Sequence, residues 1–360
     1  MKIAIGSKFV NSPWGGGNLF IKNMVNYLLE NNHEVVFDLA SMNIDIIFII
    51  DPRRESELVT FTPDDAKRYK KFNDKVKIVH RINECDERKG TEGLNQYYIK
   101  ENEIADFTVF VSEWLKKIYE KSDMDVSSSK VIMSGSDTKI FNNLGFKHWD
   151  RNNKFKIVTH HWGNHWNKGF ETYKFLDDLL DDENLKTQVE FTYIGNLPDN
   201  LHFKNTNIVN PLNGEDLAQE LKKNNAYLTG SINEPSGNHH IEASQCGLPV
   251  LYIDSGGVKE FCRKHGIEFT NNNLQKQIFY LMESYSYYFE LMKSYPFNSQ
   301  NMCREYENLF IKLSKQNIGN GISKGFYIQK IIFILSHRLR LGLKFRKLKL
   351  KKIIKKGLKF

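Results

Sequence analysis

The sequence predicts an α/β protein of two doubly wound parallel-sheet domains facing each other across a cleft. Three observations predict it. Strand-like apolar runs alternate with helix-like runs from the first residues onward, the alternation lapses once near mid-chain and then resumes, and 360 residues suffice for two domains of roughly 150 residues each. Strands and helices alternating at this spacing imply parallel sheets, whose ligands lie outside the carboxyl ends of the strands.

In chain order, Lys2–Ser7 is expected as the first strand, followed by the glycine-rich loop Trp14-Gly15-Gly16-Gly17 and a helix over Asn18–Asn31. Strands are expected over Glu34–Leu39 and Asp45–Asp51. Pro63 after Thr62 sets a helix start that runs to about Phe72, because proline at the first helical position loses no bond. Val76–His80 is the next strand, a helix over Asn95–Ile104 leads to a strand over Phe107–Val111, Ser112 caps a helix opening at Glu113, and Lys130–Met133 closes the half. Residues 142–153 lose periodicity and gain turn formers, which separates an N-terminal domain, 1–148, from a C-terminal one, 149–285. There strands are expected over Phe155–Thr159, Val189–Ile194, Asn207–Val209, Ala226–Thr229 and Pro249–Ile253. Helical pattern continues over Leu274–Leu313 with a break at Pro296, and 286–316 form the closing helices.

The net charge of +8 is unevenly spread: 321–360 holds 13 Lys or Arg and no Asp or Glu, leaving 38 basic against 43 acidic residues in 1–320. A body of about −5 has no basic face for nucleic acid, so no nucleic-acid partner is expected. The chain opens directly into a strand without a signal-peptide pattern, and no run reaches the roughly 18 apolar residues of a membrane span. Cys85, Cys246, Cys262 and Cys303 are scattered without paired spacing, so a reducing, cytoplasmic compartment is the default.

The densest chemistry lies at 234–260. Glu234 and Glu242 are eight positions apart around an expected helix start at Pro235–Asn238, whose free N–H groups and positive dipole end suit a diphosphate. Glu234 then sits at the mouth and Glu242 about two turns in. Gly247 ends the helix, Leu248–Asp254 is a buried strand, and Ser255-Gly256-Gly257 can bring bare amides to a ligand. Two acids at this spacing alone would equally fit a solvated surface helix.

With Ala243, Cys246-Gly247, Pro249, Gly256-Gly257 and Glu260 in register, this segment resembles the E-x7-E element of retaining GT-B glycosyltransferases of family 4, the glycosyl transferases group 1. The resemblance covers about residues 1–313. It implies a GT-B fold of two Rossmann-like domains, with the last helices crossing back onto the first. It also implies transfer of a sugar from a nucleoside diphosphate sugar to a hydroxyl of a glycan or lipid-linked acceptor, with retention. No metal and no cofactor beyond that co-substrate is expected, and the leaving phosphate takes the acceptor's proton. Glu242 would bind the ribose and Glu234 the transferred sugar. His80, matched by position at a strand end, would contact the sugar, and Lys168 of Lys168-Gly169 would neutralise the diphosphate. Gly16, Gly17, Asn238, His239, Gly256 and Gly257 would line the donor. The family's arginine five or six positions before the lysine is absent here, where Trp162 and Gly163 stand. Either His160, His161 or a backbone amide is then the expected substitute, or the donor's leaving group is handled differently. Ser134-Gly135-Ser136-Asp137 resembles a hinge turn.

Other readings stay open. His161, His165 and His239-His240 could gather around a metal, although 160–168 reads as a loop without i, i+4 geometry. A hydrolase or epimerase of the same fold would keep the nucleotide site. A non-enzymatic membrane or RNA binder would work through the tail, where Ile331, Leu335, Leu339, Leu343, Leu350, Ile354 and Leu358 recur at helical spacing among lysines and arginines. Such a helix is suited to an anionic membrane surface. Leu341 and Phe345 lie off this stripe.

Overall fold

Two six-stranded parallel sheets carry the fold, as the alternating pattern predicts. The computed structural model describes residues 1–10, 16–316 and 327–357, the last segment with side chains over 331–349. The first sheet consists of β1 (Lys2–Ile5), β2 (Glu34–Val36), β3 (Ile46–Ile49), β4 (Lys77–Ile82), β5 (Phe107–Phe110) and β6 (Ser129–Val131), in the order β2-β1-β3-β4-β5-β6. The second consists of β7 (Phe155–His161), β8 (Val189–Gly195), β9 (Asn207–Val209), β10 (Ala226–Thr229), β11 (Val250–Tyr252) and β12 (Gly266–Glu268), in the order β12-β11-β10-β7-β8-β9. Strand order reverses at β1/β3 and at β7/β10, and such switch points open the crevices where ligands of these sheets bind.

The central strands are apolar on both faces. β3 (Ile-Ile-Phe-Ile) and β10 (Ala-Tyr-Leu-Thr) are buried at every residue, as parallel strands covered by helices on both sides must be. Strand β12 escaped the sequence pattern because Gly266-Ile267-Glu268 is a three-residue edge with one apolar side chain. The helix Gly16–Glu30 buries Phe20, Ile21, Met24, Val25 and Leu28, the i, i+4, i+8 spacing of one face. Ser112 caps Glu113–Lys121 by accepting from the Leu115 amide at 3.2 Å. Beyond Pro296, the Asn298 side chain caps the helix Ser299–Lys315. That helix crosses back to bury Met302, Cys303, Tyr306 and Phe310 in the core of the first sheet.

The last helix, Tyr327–Gly357, presents two unlike faces. On one, Phe333 packs on Tyr69 and Phe72, His337 accepts from the Leu39 amide, and Arg340 pairs with Asp65 at 3.2 Å. Lys344 Nζ donates to the carbonyls of Arg54, Ser56 and Val59 at 2.9, 3.0 and 2.7 Å. On the other, Ile332, Leu335, Leu339 and Leu343 are exposed. The stripe expected from Ile331, Leu335, Leu339 and Leu343 is thus the outer face, whereas Leu341 and Phe345 are partly buried. Leu350, Ile354 and Leu358 fall outside the described side chains. Among the described residues no helix is long and apolar enough to cross a membrane.

Candidate functional site

A cleft of about 790 Å³ lies between the carboxyl ends of the two sheets. At its centre Glu234, on the loop after β10, is 6% exposed and faces two cations. Lys168, from the loop after β7, reaches one carboxylate oxygen at 2.7 Å, and Arg88 Nε reaches the other at 3.1 Å. Burial pushes the Glu234 carboxyl up, but Lys168 and Arg88 outweigh it and hold the group down at about 2. Arg88 comes from the opposite domain, on the short helix Asp86–Lys89 after β4. It also pairs with Glu84 at 2.5 Å, and Lys89 meets the second Glu84 oxygen at 2.8 Å. Asn167 donates to the Arg88 carbonyl at 2.6 Å and Asn233 to that of Glu87 at 3.2 Å. Loops of both sheets therefore close around one ion-pair cluster.

The helix expected from Pro235 begins instead at Asn238 and runs to Gln245. Pro235 to Gly237 form an approach loop, because Gly237 takes a positive φ of 74° that is incompatible with a helix. Glu242 is consequently about one turn from the helix start, not two. It lines the cleft and bonds His160 Nε2 at 3.1 Å. Asn238 meets the first domain: a Cβ on Gly16 would lie 2.9 Å from Asn238 Nδ2, so a larger residue there would press on the Asn238 side chain where the two walls touch. Gly17 also lines the cleft, and Trp14 and Gly15 lie outside the described residues.

Burial works against charge on two histidines of this wall, His161 and His239. His161, fully buried, bonds the Tyr173 hydroxyl at 2.6 Å. Burial, then Lys168, push it well below the usual imidazole range, and His239, against Thr229 Oγ1 at 3.0 Å, is lowered likewise by burial and neighbouring histidines. His160, turned to Glu242, and His161 both line the cleft. The second cation on Glu234 is Arg88. Among the described residues no group of three or more His, Cys, Asp or Glu is arranged to hold a metal ion.

Three expected site residues sit behind the cleft wall. Gly256 and Gly257 support Glu234: the Gly257 amide donates to the Glu234 carbonyl at 2.9 Å, and a Cβ on Gly256 would come within 2.4 Å of that oxygen. His80, fully buried, bonds Asn102 at 2.8 Å and stacks beneath Tyr98, and it is Tyr98 that lines the cleft. Burial holds His80 at about 4, hence neutral at physiological pH. The neighbouring side chain, Arg81, points to the other face of β4 and lines the cleft. Glu260, in register with the resembled motif, accepts from the Glu113 and Trp114 amides at 2.8 and 2.7 Å. It thereby joins the domains instead of touching the cleft.

The N-terminal wall was largely invisible in sequence. Besides Tyr98 and Arg81 it carries Arg53, held by Asp51 through two bonds of 2.8 and 3.0 Å. Arg81 and Arg88 fall in a charge-dense stretch, 80–90, that matches no motif.

Comparison with known proteins places this architecture. The fold is that of GT-B glycosyltransferases. Anabaena HepE with UDP shares it at a TM-score of 0.64 and 15% identity, over 87% of this chain and 100% of that one, and HepE with UDP-glucose at 0.58 and 14%, over 88% and 98%. A sucrose-phosphate synthase from Thermosynechococcus elongatus matches at 0.62 and 14% over 87% and 98%, and the lipopolysaccharide outer core galactosyltransferase WaaB at 0.63 and 13% over 87% and 99%. Residues 187–285, which include the Glu234–Glu242 element, match the family described as Glycosyl transferases group 1. No curated protein sequence matches the chain.

Proposed function

We propose that this chain transfers a sugar from a nucleoside diphosphate sugar to an acceptor hydroxyl, with retention of configuration. One observation carries the reading: a buried carboxylate, Glu234, held between Lys168 and Arg88 beside the free N-terminus of the helix Asn238–Gln245. An incoming diphosphate takes over both cations and the helix amides, releasing Glu234 towards the sugar, while Glu242 meets the ribose. The bond from the anomeric carbon to the diphosphate breaks, a bond to the acceptor oxygen forms on the same face, and the hydroxyl proton passes to the leaving phosphate oxygen. Since the sugar–diphosphate bond is already activated, orientation and charge stabilisation supply the catalysis.

The HepE structures hold UDP and UDP-glucose, so uridine donors head the panel. Thermal melting with UDP-, GDP-, ADP- and CMP-sugars should show one base raising the melting temperature, since a ligand of the native state stabilises it. No shift with any of them sinks the nucleotide reading. Product mass separates transfer from hydrolysis or epimerisation, and the anomeric proton signal reads the configuration. Because protein cations face the leaving group, activity should survive EDTA; a loss restored by divalent metal would contradict this.

The outer face of Tyr327–Gly357 supports a second reading, that the enzyme works on an anionic membrane surface and takes a membrane-proximal acceptor. Leu335, Leu339 and Leu343 are exposed in a stripe flanked by exposed Arg338, Lys347 and Lys349, an arrangement that suits acidic headgroups. The chain should co-sediment with anionic but not neutral liposomes, and L335S/L339S/L343S should abolish this. Equal sedimentation of the two proteins removes the membrane from the account.

A further inference from the structure

We infer that the N-terminal wall of the cleft holds a second anion subsite, centred on Arg81, which takes an oxyanion carried by the acceptor. The word acceptor rests on the proposed transfer reaction; the subsite itself rests on the geometry of Arg81.

Arg81 lies at the carboxyl end of β4 and is only 5% exposed. Its guanidinium sits 4.0 Å over the ring of Phe20, yet its Nε and Nη1 have no hydrogen-bond partner. The Tyr306 hydroxyl is near enough to favour the charged form but lies outside hydrogen-bonding geometry and is itself unpartnered. Among the described residues no carboxylate pairs with Arg81, and Glu84, the acid that acts on it, is engaged by Arg88 and Lys89. The other arginines of the cleft are all paired, Arg53 with Asp51 and Arg88 with Glu84 and Glu234.

A buried cation without a counter-ion is among the costliest arrangements in a protein. Contact with the Phe20 ring compensates the face of the guanidinium and leaves its N–H edge unanswered. Arg81 and Ser136, whose hydroxyl is also unpartnered, both belong to the cleft lining, so the missing acceptor atoms are ones a ligand in the cleft can bring. The planar fork of arginine fits phosphate and carboxylate bidentately. The ligand class is therefore an acceptor bearing a phosphate or a carboxylate near its reacting hydroxyl.

The test uses the full chain saturated with the nucleoside diphosphate it binds, so that Lys168 and Arg88 are occupied. Phosphate and acetate are titrated separately at constant ionic strength, with melting temperature and calorimetry as readouts. Wild type should gain several degrees with at least one of them, and the larger response identifies the class. R81M should lose that response and keep its nucleoside diphosphate affinity. In anion-free buffer it should melt at or above wild type, because an unpaired buried charge has been removed. Absence of an anion response in wild type, its persistence in R81M, or a lower melting temperature for R81M would each overturn the subsite. If R81M does not fold, R81K, which keeps the charge but not the fork, should show a weakened response; an undiminished one overturns the inference. A nucleoside diphosphate that stabilises neither protein would refute the transfer reading, while the anion response is still read without it.

Discussion

The two walls of the cleft manage charge in opposite ways. On the C-terminal wall the carboxylates facing the centre are already matched, Glu234 with Lys168 and Arg88 and Glu242 with His160. On the N-terminal wall Arg81 is buried and unmatched. On the proposed transfer reading the matched wall exchanges partners, a diphosphate taking Lys168 and Arg88 over from the Glu234 carboxylate. The unmatched wall is arranged to gain one.

The sharpest way to break this contrast is Glu234→Gln. Turnover should fall by about 100- to 1000-fold, or about 3–4 kcal/mol, if the carboxylate acts at the sugar. Affinity for the nucleoside diphosphate should rise, because the competitor for Lys168 and Arg88 has been removed. Calorimetry and steady-state kinetics read both, and weaker diphosphate binding would show that Glu234 does not compete. Lys168→Ala should cost about 2–3 kcal/mol of transition-state stabilisation, and Arg88→Gln about 1.5–3. Both should weaken diphosphate more than monophosphate binding; wild-type kinetics would return these cations to a purely structural role. Glu242→Ala should weaken nucleotide binding by about 1–3 kcal/mol with turnover little changed, and a fall in turnover alone would reassign it.

The smallest effect is on pH. Glu234 is held at about 2 against an ordinary 4.5, so the stability it contributes is fully present above about pH 4.5 and is lost as the pH falls through 2. The melting difference between wild type and Glu234→Gln should stay level from neutral pH to about 5 and shrink below 4.5. A difference that vanished near pH 6 would mean that the two cations do not dominate.

The same contrast explains what was legible. Glu234, Asn238, His239 and Glu242 fall within nine consecutive residues, one strand–loop–helix segment positions them all, and Ala243, Cys246-Gly247 and Pro249 in register made their relation legible. Lys168 was legible from Lys168-Gly169, which matches an element of the resembled family in register with the other motifs. Arg88, Arg81 and Tyr98 face the same cleft from the first domain, and their nearness to Glu234 exists only once the domains meet. His80 was misplaced by one residue of strand alternation: His80 and Arg81 point to opposite faces of β4, and only one face opens to the cleft. Gly256 and Gly257 were assigned to ligand because bare amides suit an anion, but here one of those amides is used by the Glu234 carbonyl. For the tail, periodicity found an apolar stripe but could not say which of two faces would turn inward.

That inward face bears on how the chain can be dissected. Lys344 is bonded to the carbonyls of Arg54, Ser56 and Val59, and Ser56, Glu57 and Leu58 belong to the cleft lining. The last helix is therefore a brace for this cleft-lining loop. Cutting the chain at residue 320 would uncover the apolar seat of Phe333 and slacken that loop together, so a shortened protein that lost the proposed activity would say nothing of membrane binding. Only substitutions confined to the outward leucines separate address from architecture.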